Sequence, residues 1–459
     1  MSGRGWGLLL GACVAAGIGV LGASEREVLK AVRRVAPGPT ARWREGEVIV
    51  AFREGTDEGA IERALREGGA ARARRSRRAS RVLARLDPGV TVEDAVRRFS
   101  ARPEVDYAEP NGVVRKSQGR TLQPNDRFYE FQWNLTMVNA ERTWGIQPGK
   151  SSVAVAVLDT GAAYEDYDDP VTGQQFRRAP DWGDVTFLPG YDFINNDTHP
   201  NDDEFHGTHV ASTVAEETNN ALGVAGLAFG CAIMPIKVLD EEGFGSFFGV
   251  ADGVDYAVDF SQGGTRPVKV INMSLGSEAF SETLRRAVDR ALAAGVVVVA
   301  AAGNSGTQVI EFPASITGVI AVGAVDARKE RASYSNTGPS LALVAPWGNC
   351  DRDDNNDDFG DCIFQQMPDP DFVAEGRHDQ FCYCGLDGTS MATPHVAAAA
   401  ALLISQGITD PAAVRAALEQ TAERLGGAPA GGRNDTFGYG LVRPANALPG
   451  LGLNLGPKK

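Results

Sequence analysis

The sequence contains little of what several common enzyme classes and membrane proteins need. Its 459 residues include five histidines and six cysteines. The cysteines form no paired CxxC pattern, which disfavours a structural zinc domain, and the histidines form no HExxH motif, which excludes that type of metallopeptidase. After the first 24 residues, no apolar run reaches the length of a membrane span without charges or glycine-rich breaks. No internal repeat is present, so a repeat architecture is not expected.

The chain has instead a globular composition with an uneven charge. Hydrophobic residues make up 43% of it, and the length fits one large domain with a smaller one. Residues 25–120 carry an excess of lysine and arginine, whereas the remainder is strongly acidic and brings the net charge to −14. This order is typical of a basic segment that docks onto an acidic domain, or of a nucleic-acid-binding arm.

The first 24 residues have the pattern of an export signal. Arg4 precedes an apolar run from Leu8 to Ala23 that is short for a membrane span. Cleavage is therefore expected near Ala23–Ser24, and the protein is expected to be secreted, from a bacterium by its composition. Two alternatives remain: a membrane anchor, and a periplasmic or surface lipoprotein acylated at Cys13.

The remaining cysteines fit an oxidising compartment. Cys350, Cys362, Cys382 and Cys384 lie close in sequence, so one or two disulfides are expected among them, with zinc binding as the competing interpretation. Cys231 begins an apolar strand pattern and is predicted to be a buried thiol.

The basic segment alternates strand and helix patterns. Thr91 is a predicted helix N-cap with Asp94 three residues later. A small α+β unit is predicted, followed by a polar linker. Its predicted strands are 47–52, 80–86 and 105–114, and its predicted helices are 58–67 and 92–101.

From residue 152 the pattern changes to apolar strands that alternate with helices. Continuous apolar strands of this kind predict a parallel sheet that is covered on both faces. Asp159, Ser274 and Asn304 stand at strand ends, the edge of such a sheet where ligands bind. The predicted strands are 153–159, 232–240, 268–276, 295–304 and 318–326, and the predicted helices are 207–217, 246–260, 281–294, 391–406 and 411–423.

Four polar residues supply what nucleophilic catalysis by serine requires. A serine hydroxyl needs a histidine to take its proton, and the histidine needs a carboxylate to orient it. Ser390 precedes a helical run, where the dipole favours an oxyanion and a backbone N–H is free. His206 opens another helix, while Asp159 and Asn304 follow strands. Each alone is more simply a cap or turn residue, so the indication comes from their joint presence.

The segments around these residues resemble the subtilase family, of the subtilisin and thermitase type. The blocks DTG, HGTHVA, AAGN and GTSMATPHVA occur in the family's order, and the resemblance runs from about Pro124 to Leu441. It implies an α/β fold: a subtilisin-like parallel sheet with helices on both faces, preceded by a small α+β, ferredoxin-like propeptide domain. The implied organisation is a signal peptide at 1–24, a propeptide at 25–118 and a peptidase domain at 119–459.

The same resemblance implies a secreted serine endopeptidase that forms an acyl-enzyme and is made as a self-processing zymogen. Asp159 would orient His206, the general base and then acid, and Ser390 would be the nucleophile. Asn304 would donate to the oxyanion, and His209 would not be the base. An inactive, scaffold-like member of the family is the alternative, although no position of the triad or oxyanion site is substituted. One departure is Ser212, where the family commonly has glycine.

The resemblance also indicates a substrate cleft in which an extended peptide pairs with two backbone segments. Small residues beside the P1 pocket would leave room for a large apolar side chain; the alternative is that these glycines are simply turns. The Phe312–Pro313 bond is expected to be cis. The predicted cleft residues are Gly243, Gly245, Phe247, Ser274, Leu275, Gly276, Ala301, Ala302 and Gly303.

Calcium is the ion that the resemblance implies, in a structural role, and no organic cofactor is expected. The loop DFINND offers Asp192, Asn195 and Asp197 as hard oxygen ligands. A second set, by the same resemblance, is Asp126, Asp168 and Asn220. The acidic stretch 351–361 is either a third site or a solvated loop.

The expected partners are polypeptide substrates and the chain's own propeptide, which acts as an intramolecular inhibitor. The arginine-rich run at 71–81 is predicted to be an exposed loop. A nucleic-acid interpretation of that run is disfavoured because no aromatic residues interleave it. The mature protein is expected to be a monomer.

Overall fold

The computed structural model describes residues 43–76, 80–112, 121–263, 267–354, 359–427 and 432–448. The chain divides into two compact units, with the described residues up to 112 in one and those from 121 in the other. The predicted export signal, the lipoprotein alternative at Cys13 and most of the predicted linker lie outside the described residues.

The first unit is the predicted small α+β domain. Its strands pair antiparallel in the order β2-β3-β1-β4, and its two helices connect them in a βαββαβ, ferredoxin-like arrangement. The elements are β1 (Trp43–Phe52), α1 (Glu58–Glu67), β2 (Ala70–Arg75), β3 (Arg81–Leu86), α2 (Val92–Ser100) and β4 (Val105–Gly112).

Local signals in the sequence explain the helices of this unit. The Thr91 side chain accepts a hydrogen bond from the Asp94 N–H, as predicted, and Asp57 caps α1 through the Ala60 N–H. Strand residues Val48 and Val50 and helix residue Phe99 are fully buried in the shared core. The small domain therefore has a hydrophobic core of its own.

The prediction of an exposed loop for the arginine-rich run is wrong in its first half. Residues 70–75 form the edge strand β2, which pairs with β3 through the backbone. The side chains of β2 are almost all exposed, so no alternation of apolar and polar residues marks the strand in the sequence. Residues 77–79 lie outside the described residues.

The second unit is built on a seven-stranded sheet in the order β13-β12-β11-β10-β5-β9-β8, in which every pairing is parallel. The predicted parallel sheet is confirmed. Four further strands form two pairs outside this sheet, β6 with β7 and β14 with β15. The strands of the unit are β5 (Ala154–Asp159), β6 (Tyr167–Asp168), β7 (Gln175–Phe176), β8 (Tyr191–Asp192), β9 (Ala232–Lys237), β10 (Val268–Met273), β11 (Val297–Ala301), β12 (Ile320–Val325), β13 (Leu341–Pro346), β14 (Ile363–Pro368) and β15 (Phe381–Leu386).

Helices cover both faces of this sheet. Alternate residues of β5 pack into two different hydrophobic cores, one on each face of the sheet. Val155 and Val157 belong to the first core, and Ala156 and Leu158 belong to the second. The helices are α3 (Trp133–Met137), α4 (Ala140–Trp144), α5 (His206–Ala215), α6 (Phe247–Gly263), α7 (Glu282–Ala293), α8 (Pro370–Val373), α9 (Thr389–Gln406), α10 (Pro411–Thr421) and α11 (Pro444–Ala447), with 3₁₀ turns at Tyr129–Phe131 and Pro180–Trp182.

Helices α5 and α9 contribute to the core of the first face, and α6 and α7 to that of the second. Burial on both faces explains why the strands read as unbroken apolar runs. Within the described residues no single helix is long and apolar enough to cross a membrane; α9 and α10 meet that criterion only together, across a bend of 117°.

The cysteine-containing insert forms a hairpin that the sequence did not predict. Strands β14 and β15 pair antiparallel, and β14 packs against α5. Disulfides join Cys350 to Cys362 and Cys382 to Cys384, which confirms the expectation of one or two bridges. Cys231 is a buried free thiol, as predicted, and burial raises its pKa to about 11.

Candidate active site

An aspartate and a histidine meet at the carboxyl end of the central strands. Asp159 is the last residue of β5 and is fully buried, and its Oδ1 accepts hydrogen bonds from His206 Nδ1 at 2.7 Å and from the Thr160 N–H at 2.8 Å. His206 is the first residue of α5. With Nδ1 donating to the carboxylate, Nε2 is left as the nitrogen that takes a proton.

Carboxylates around His206 change its proton affinity. Burial lowers the pKa of His206, but the attraction of Asp159, with Glu204 and Asp202, outweighs it and raises the pKa to about 9. The His206 side chain is still 23% exposed, so a substrate can reach it. The histidine is therefore accessible and is strongly stabilised in its protonated form.

Glu204 lies beside the histidine and holds its backbone. Glu204 Oε2 accepts from the His206 N–H at 2.7 Å and from the Phe205 N–H at 2.9 Å. Burial raises the pKa of Glu204 to about 7, against the opposing attraction of His206. This carboxylate fixes the start of α5 and adds negative charge near the imidazole.

Ser390 is held against the end of the neighbouring strand. It is the second residue of α9, and its Oγ donates to the Ser274 carbonyl at 3.1 Å, while Ser274 Oγ donates to the Ser390 carbonyl at 2.8 Å. Ser274 follows β10, the direct neighbour of β5. The serine is thus positioned at the same sheet edge as Asp159.

Two nitrogen donors face the space above Gly388. Asn304 Oδ1 accepts from the Thr389 N–H at 2.9 Å and from Thr389 Oγ1 at 2.8 Å, which anchors the amide through its oxygen. A Cβ placed on Gly388, whose φ is +144°, would lie 3.6 Å from Ser390 N and 3.8 Å from Asn304 Nδ2. The absent side chain leaves room for an atom that both nitrogens can reach.

The other histidine of the HGTH block has a structural environment. His209 is fully buried, its Nε2 lies 2.8 Å from the Ile363 carbonyl of β14, and burial lowers its pKa to about 3. Ser212, the departure from the family pattern, donates to the Gln366 carbonyl of the same strand at 3.4 Å. The insert hairpin therefore supplies acceptors for two side chains of α5.

Six of the nine predicted cleft residues line one cleft, with a volume of about 460 Å³, that is also lined by His206. They are Gly243, Gly245, Phe247, Ser274, Leu275 and Gly276. Ala301, Ala302 and Gly303 are buried at and just after the end of β11 and do not line this cleft. The predicted cis bond at Phe312–Pro313 is present.

Sequence reasoning missed one side chain beside this cleft. Glu311 lies directly before the cis bond, and its carboxylate occupies the space next to Gly276 and Gly303. The sequence did contain a signal for it: Glu311 is a charged residue immediately before the Phe-Pro pair that was expected to lie next to the substrate pocket.

The first predicted calcium set lies on one turn. Asp192 Oδ1 accepts from the Ile194 and Asn195 N–H groups, and Asp192 Oδ2 accepts from Asn195 Nδ2 at 3.1 Å. Asp197 Oδ1 accepts from the His199 N–H at 2.8 Å. The three predicted ligands are adjacent, and the backbone already engages two of their carboxylate oxygens.

The residues of the second predicted set make different contacts. Asp168 lies in the exposed strand β6 and pairs with Arg177 at 2.7 Å. Asp126 instead accepts from the Asn219 N–H at 2.8 Å, and Asn220 Nδ2 lies 2.6 Å from Asp181 Oδ1. Asp181, fully buried in a 3₁₀ turn, is therefore the aspartate that contacts Asn220.

The β6–β7 hairpin lies in sequence between β5 and that turn, and it contains Asp168. Among the described residues, no group of three or more His, Cys, Asp and Glu side chains is arranged to hold a metal ion. Part of the acidic stretch 351–361 lies outside the described residues.

Known proteins resemble this chain in sequence. Residues 150–440 match the family described as "Subtilase family", and residues 30–111 match the "Fervidolysin N-terminal prodomain". The chain is 36% identical to the thermophilic serine proteinase of Bacillus sp. (strain AK1), over 88% of this chain and 87% of the relative. It is 35% identical to thermitase of Thermoactinomyces vulgaris, over 66% of this chain and 93% of the relative.

A solved structure agrees with these sequence matches. It is described as a protease from Pseudoalteromonas arctica, and it superposes with a TM-score of 0.60 at 31% identity, covering 71% of this chain and 99% of that one. With the fold, the paired Asp159 and His206 and these matches together, the chain belongs to the subtilase family and is a serine-type endopeptidase with an N-terminal prodomain.

Proposed function

We propose that the chain is a secreted endopeptidase in which Asp159, His206 and Ser390 form the catalytic triad and Asn304 completes the oxyanion site. The observation that carries this proposal is the placement of all four groups at one sheet edge. The Asp159–His206 hydrogen bond of 2.7 Å lies at the end of β5, and Ser390, at the start of α9, is hydrogen-bonded to Ser274 at the end of the neighbouring strand β10. Such an arrangement suits proton transfer from a serine hydroxyl during acyl transfer.

The reaction uses these residues in two halves. His206 Nε2 takes the Ser390 proton as Oγ attacks the substrate carbonyl, and the new oxyanion accepts hydrogen bonds from the Ser390 N–H and Asn304 Nδ2. His206 then gives the proton to the leaving amine. A water attacks the acyl-enzyme with the same base, and the acid product leaves. Asp159 holds the ring and stabilises the imidazolium throughout.

The cleft offers an extended peptide two backbone edges. One is the segment 243–246, and the other is 274–276, which follows β10 directly. Phe247 packs edge-on against Phe312 at a ring distance of 6.2 Å, which forms an apolar surface further along the cleft. Backbone pairing would hold the substrate, and these side chains would set its preferences.

We also propose that the chain is made as a self-processing zymogen. The prodomain match and the basic charge of the first segment, against an acidic peptidase domain, support inhibition by the chain's own propeptide. The proposed order is a signal at 1–24, a propeptide at 25–118 and a peptidase at 119–459, which is secreted and monomeric when mature. A nucleic-acid partner is not part of this proposal.

The test is covalent labelling of the folded protein. A fluorophosphonate reacts only with an activated serine, so we expect one label on wild-type protein, located at Ser390 by peptide mass mapping. The Ser390→Ala variant should take none. A correctly folded wild type that takes no label, while hydrolysing no protein substrate, would identify the chain as a scaffold-like member of the family.

We also propose that a calcium ion stabilises the second unit. Asp126 and Asp181 present two buried carboxylates, whose hard oxygens suit Ca²⁺. Asn220 lies with them: its Nδ2 donates to Asp181 and its Oδ1 accepts from the Leu222 N–H. The loop at Asp192, Asn195 and Asp197 is the second proposed site. The ion would hold the loop after α5 to the start of the unit, and it would have a structural role only.

Calcium should therefore raise the melting temperature. Binding at 100 times the dissociation constant stabilises a folded protein by about 2.7 kcal/mol, which corresponds to roughly 4 °C for a domain of about 340 residues. We expect a chelator to remove that gain, as measured by thermal unfolding in a Ser390→Ala background that prevents autolysis.

A matched pair of variants tests which aspartate is the ligand. Asp181→Asn should abolish the difference between melting with and without calcium, whereas Asp168→Asn should keep it. The opposite pattern would identify Asp168 as the ligand. If calcium does not change the melting temperature of the protein without either substitution, the proposed calcium site is disproved.

A further inference from the structure

P1 is the substrate residue on the acyl side of the cleaved bond. The two backbone segments expected to flank its side chain, at Gly276 and Gly303, enclose a carboxylate. A Cβ placed on Gly276 would overlap Glu311 Oε2, and one placed on Gly303 would overlap Glu311 Oε1. Gly276 follows the Ser274 carbonyl that accepts from Ser390, and Gly303 precedes the oxyanion donor Asn304. The Glu311 carboxylate therefore stands between these two wall segments, next to the catalytic groups.

Nothing positively charged neutralises this carboxylate among the described residues. Its hydrogen bonds come from Ser305 Oγ at 3.3 Å, from Asn336 Nδ2 at 3.4 Å and from the backbone of Asn304, and all three donors are uncharged. Burial raises the pKa of Glu311, the negative charge of Glu278 adds to that, and no basic side chain opposes it. Glu311 is only partly buried, and its neighbours Gly276 and Phe312 line the cleft that His206 also lines. A half-buried carboxylate of this kind gains most from a cation that arrives with the substrate.

We propose that Glu311 makes this peptidase select lysine or arginine at P1. The proposal rests on the proposed function and replaces the expectation of a large apolar P1 side chain. A long basic side chain entering the cleft beside Gly276 would place its charge beside Glu311, while its methylene stem contacts the backbone at Gly276. A carboxylate in the P1 pocket gives trypsin its preference by the same physics, in an unrelated fold.

The sequence before the peptidase domain agrees with this preference. Arg115, Lys116 and Arg120 lie around residue 118, where the propeptide is expected to end. Self-cleavage by an enzyme of basic P1 preference would therefore have three acceptable bonds where the propeptide is expected to end. The first residue of the mature protein should be Lys116, Ser117 or Thr121.

The competing explanation is steric. If the Glu311 side chain only fills the pocket, small P1 residues would be preferred whatever its charge. The variant Glu311→Gln separates the two explanations, because glutamine has nearly the same size and carries no charge. It leaves Asp159, His206, Ser390 and Asn304 unchanged.

The experiment measures kcat/KM for peptide substrates that differ only in P1, with Lys, Arg, Phe, Ala and Glu compared. Concentrations of active enzyme come from fluorophosphonate titration. For wild type we expect Lys and Arg to exceed Phe by about 100-fold, the scale of a close ion pair in a desolvated site. In Glu311→Gln the values for Lys and Arg should fall by at least about tenfold while the value for Phe changes little.

Each outcome decides the proposal. Wild type that prefers Phe or Ala to Lys overturns it, and this result needs no variant. A preference for Lys that survives unchanged in Glu311→Gln overturns the role of Glu311. Failure of the proposed function looks different, because the wild type then takes no fluorophosphonate label and cleaves no substrate of the set. The intact mass of the mature protein also gives its first residue. If the Ser390→Ala variant stays unprocessed and the wild type is cut after a non-basic residue, that result counts against a basic P1 preference.

Discussion

Ser390→Ala is expected to leave the precursor uncleaved and to lower kcat by about 10⁶-fold, which is the size of the effect measured in subtilisin, another subtilase. Alanine keeps the start of α9 but removes the oxygen that would form the acyl-enzyme. The oxyanion donors at Asn304 and the backbone of residue 390 remain, so a small residual rate over water is expected. The measurement is the intact mass of protein secreted by an exporting host, with kcat on a peptide substrate.

The matched control is Ser315→Ala, because Ser315 is exposed and stands outside the cleft. Wild type and Ser315→Ala should both shorten to a form that begins after residues 115–120, while Ser390→Ala keeps its propeptide. If all three shorten alike, a host protease does the trimming and self-processing is disproved. If none shortens and wild type hydrolyses nothing, the chain is not the proposed zymogen.

The sequence predicted most of the sheet because of how its strands are buried. Helices cover both faces, so each strand is a run such as Ala154–Asp159 with all six residues buried. A polar residue at the end of such a run is conspicuous, and Asp159, Ser274 and Asn304 were found in this way. Their proximity follows from the strand order β11-β10-β5, which the runs alone do not encode and which the family resemblance supplied.

The parts that were not predicted lack such patterns. Strand β2 has almost no buried side chain, and in β14 the polar Gln365 and Gln366 are fully buried, so neither shows the alternation of a half-buried strand. Asp181 and Glu311 depend on contacts across the fold, with Asn220 and with the two wall glycines respectively. Spacing in the sequence carries no information on such contacts unless an aligned relative shares them.

Asp159→Asn is expected to lower kcat by about 10⁴-fold, because an amide beside His206 Nδ1 favours the wrong ring tautomer without displacing the ring. Asp168→Asn is the matched control, since Asp168 is an exposed aspartate paired with Arg177, and it should retain full activity. A variant at Asp159 within tenfold of wild type would show that this carboxylate does not orient the base.

The pH profile provides a second, independent readout of the same pair. His206 acts as a base only when neutral, and its pKa is raised to about 9, so wild-type kcat/KM should rise with pH through the alkaline range. Asp159→Asn removes the main charge that raises this pKa, and the midpoint should move down towards the ordinary value near 6.5. Glu204→Gln should move the midpoint in the same direction while it preserves kcat at the plateau, since it leaves the Nδ1 hydrogen bond in place.

Stability should follow the opposite trend with pH. Because the folded pKa of His206 lies above its unfolded value, the pair's contribution to stability is fully present below about pH 6.5 and is lost as the pH rises through about 9. The enzyme should therefore reach its highest activity where the Asp159–His206 pair stabilises the fold least. Urea unfolding of Ser390→Ala at pH 6 and pH 10 measures this, with Ser390→Ala/Asp159→Asn as the reference. If both variants lose the same unfolding free energy between pH 6 and pH 10, the Asp159–His206 pair does not cause the loss.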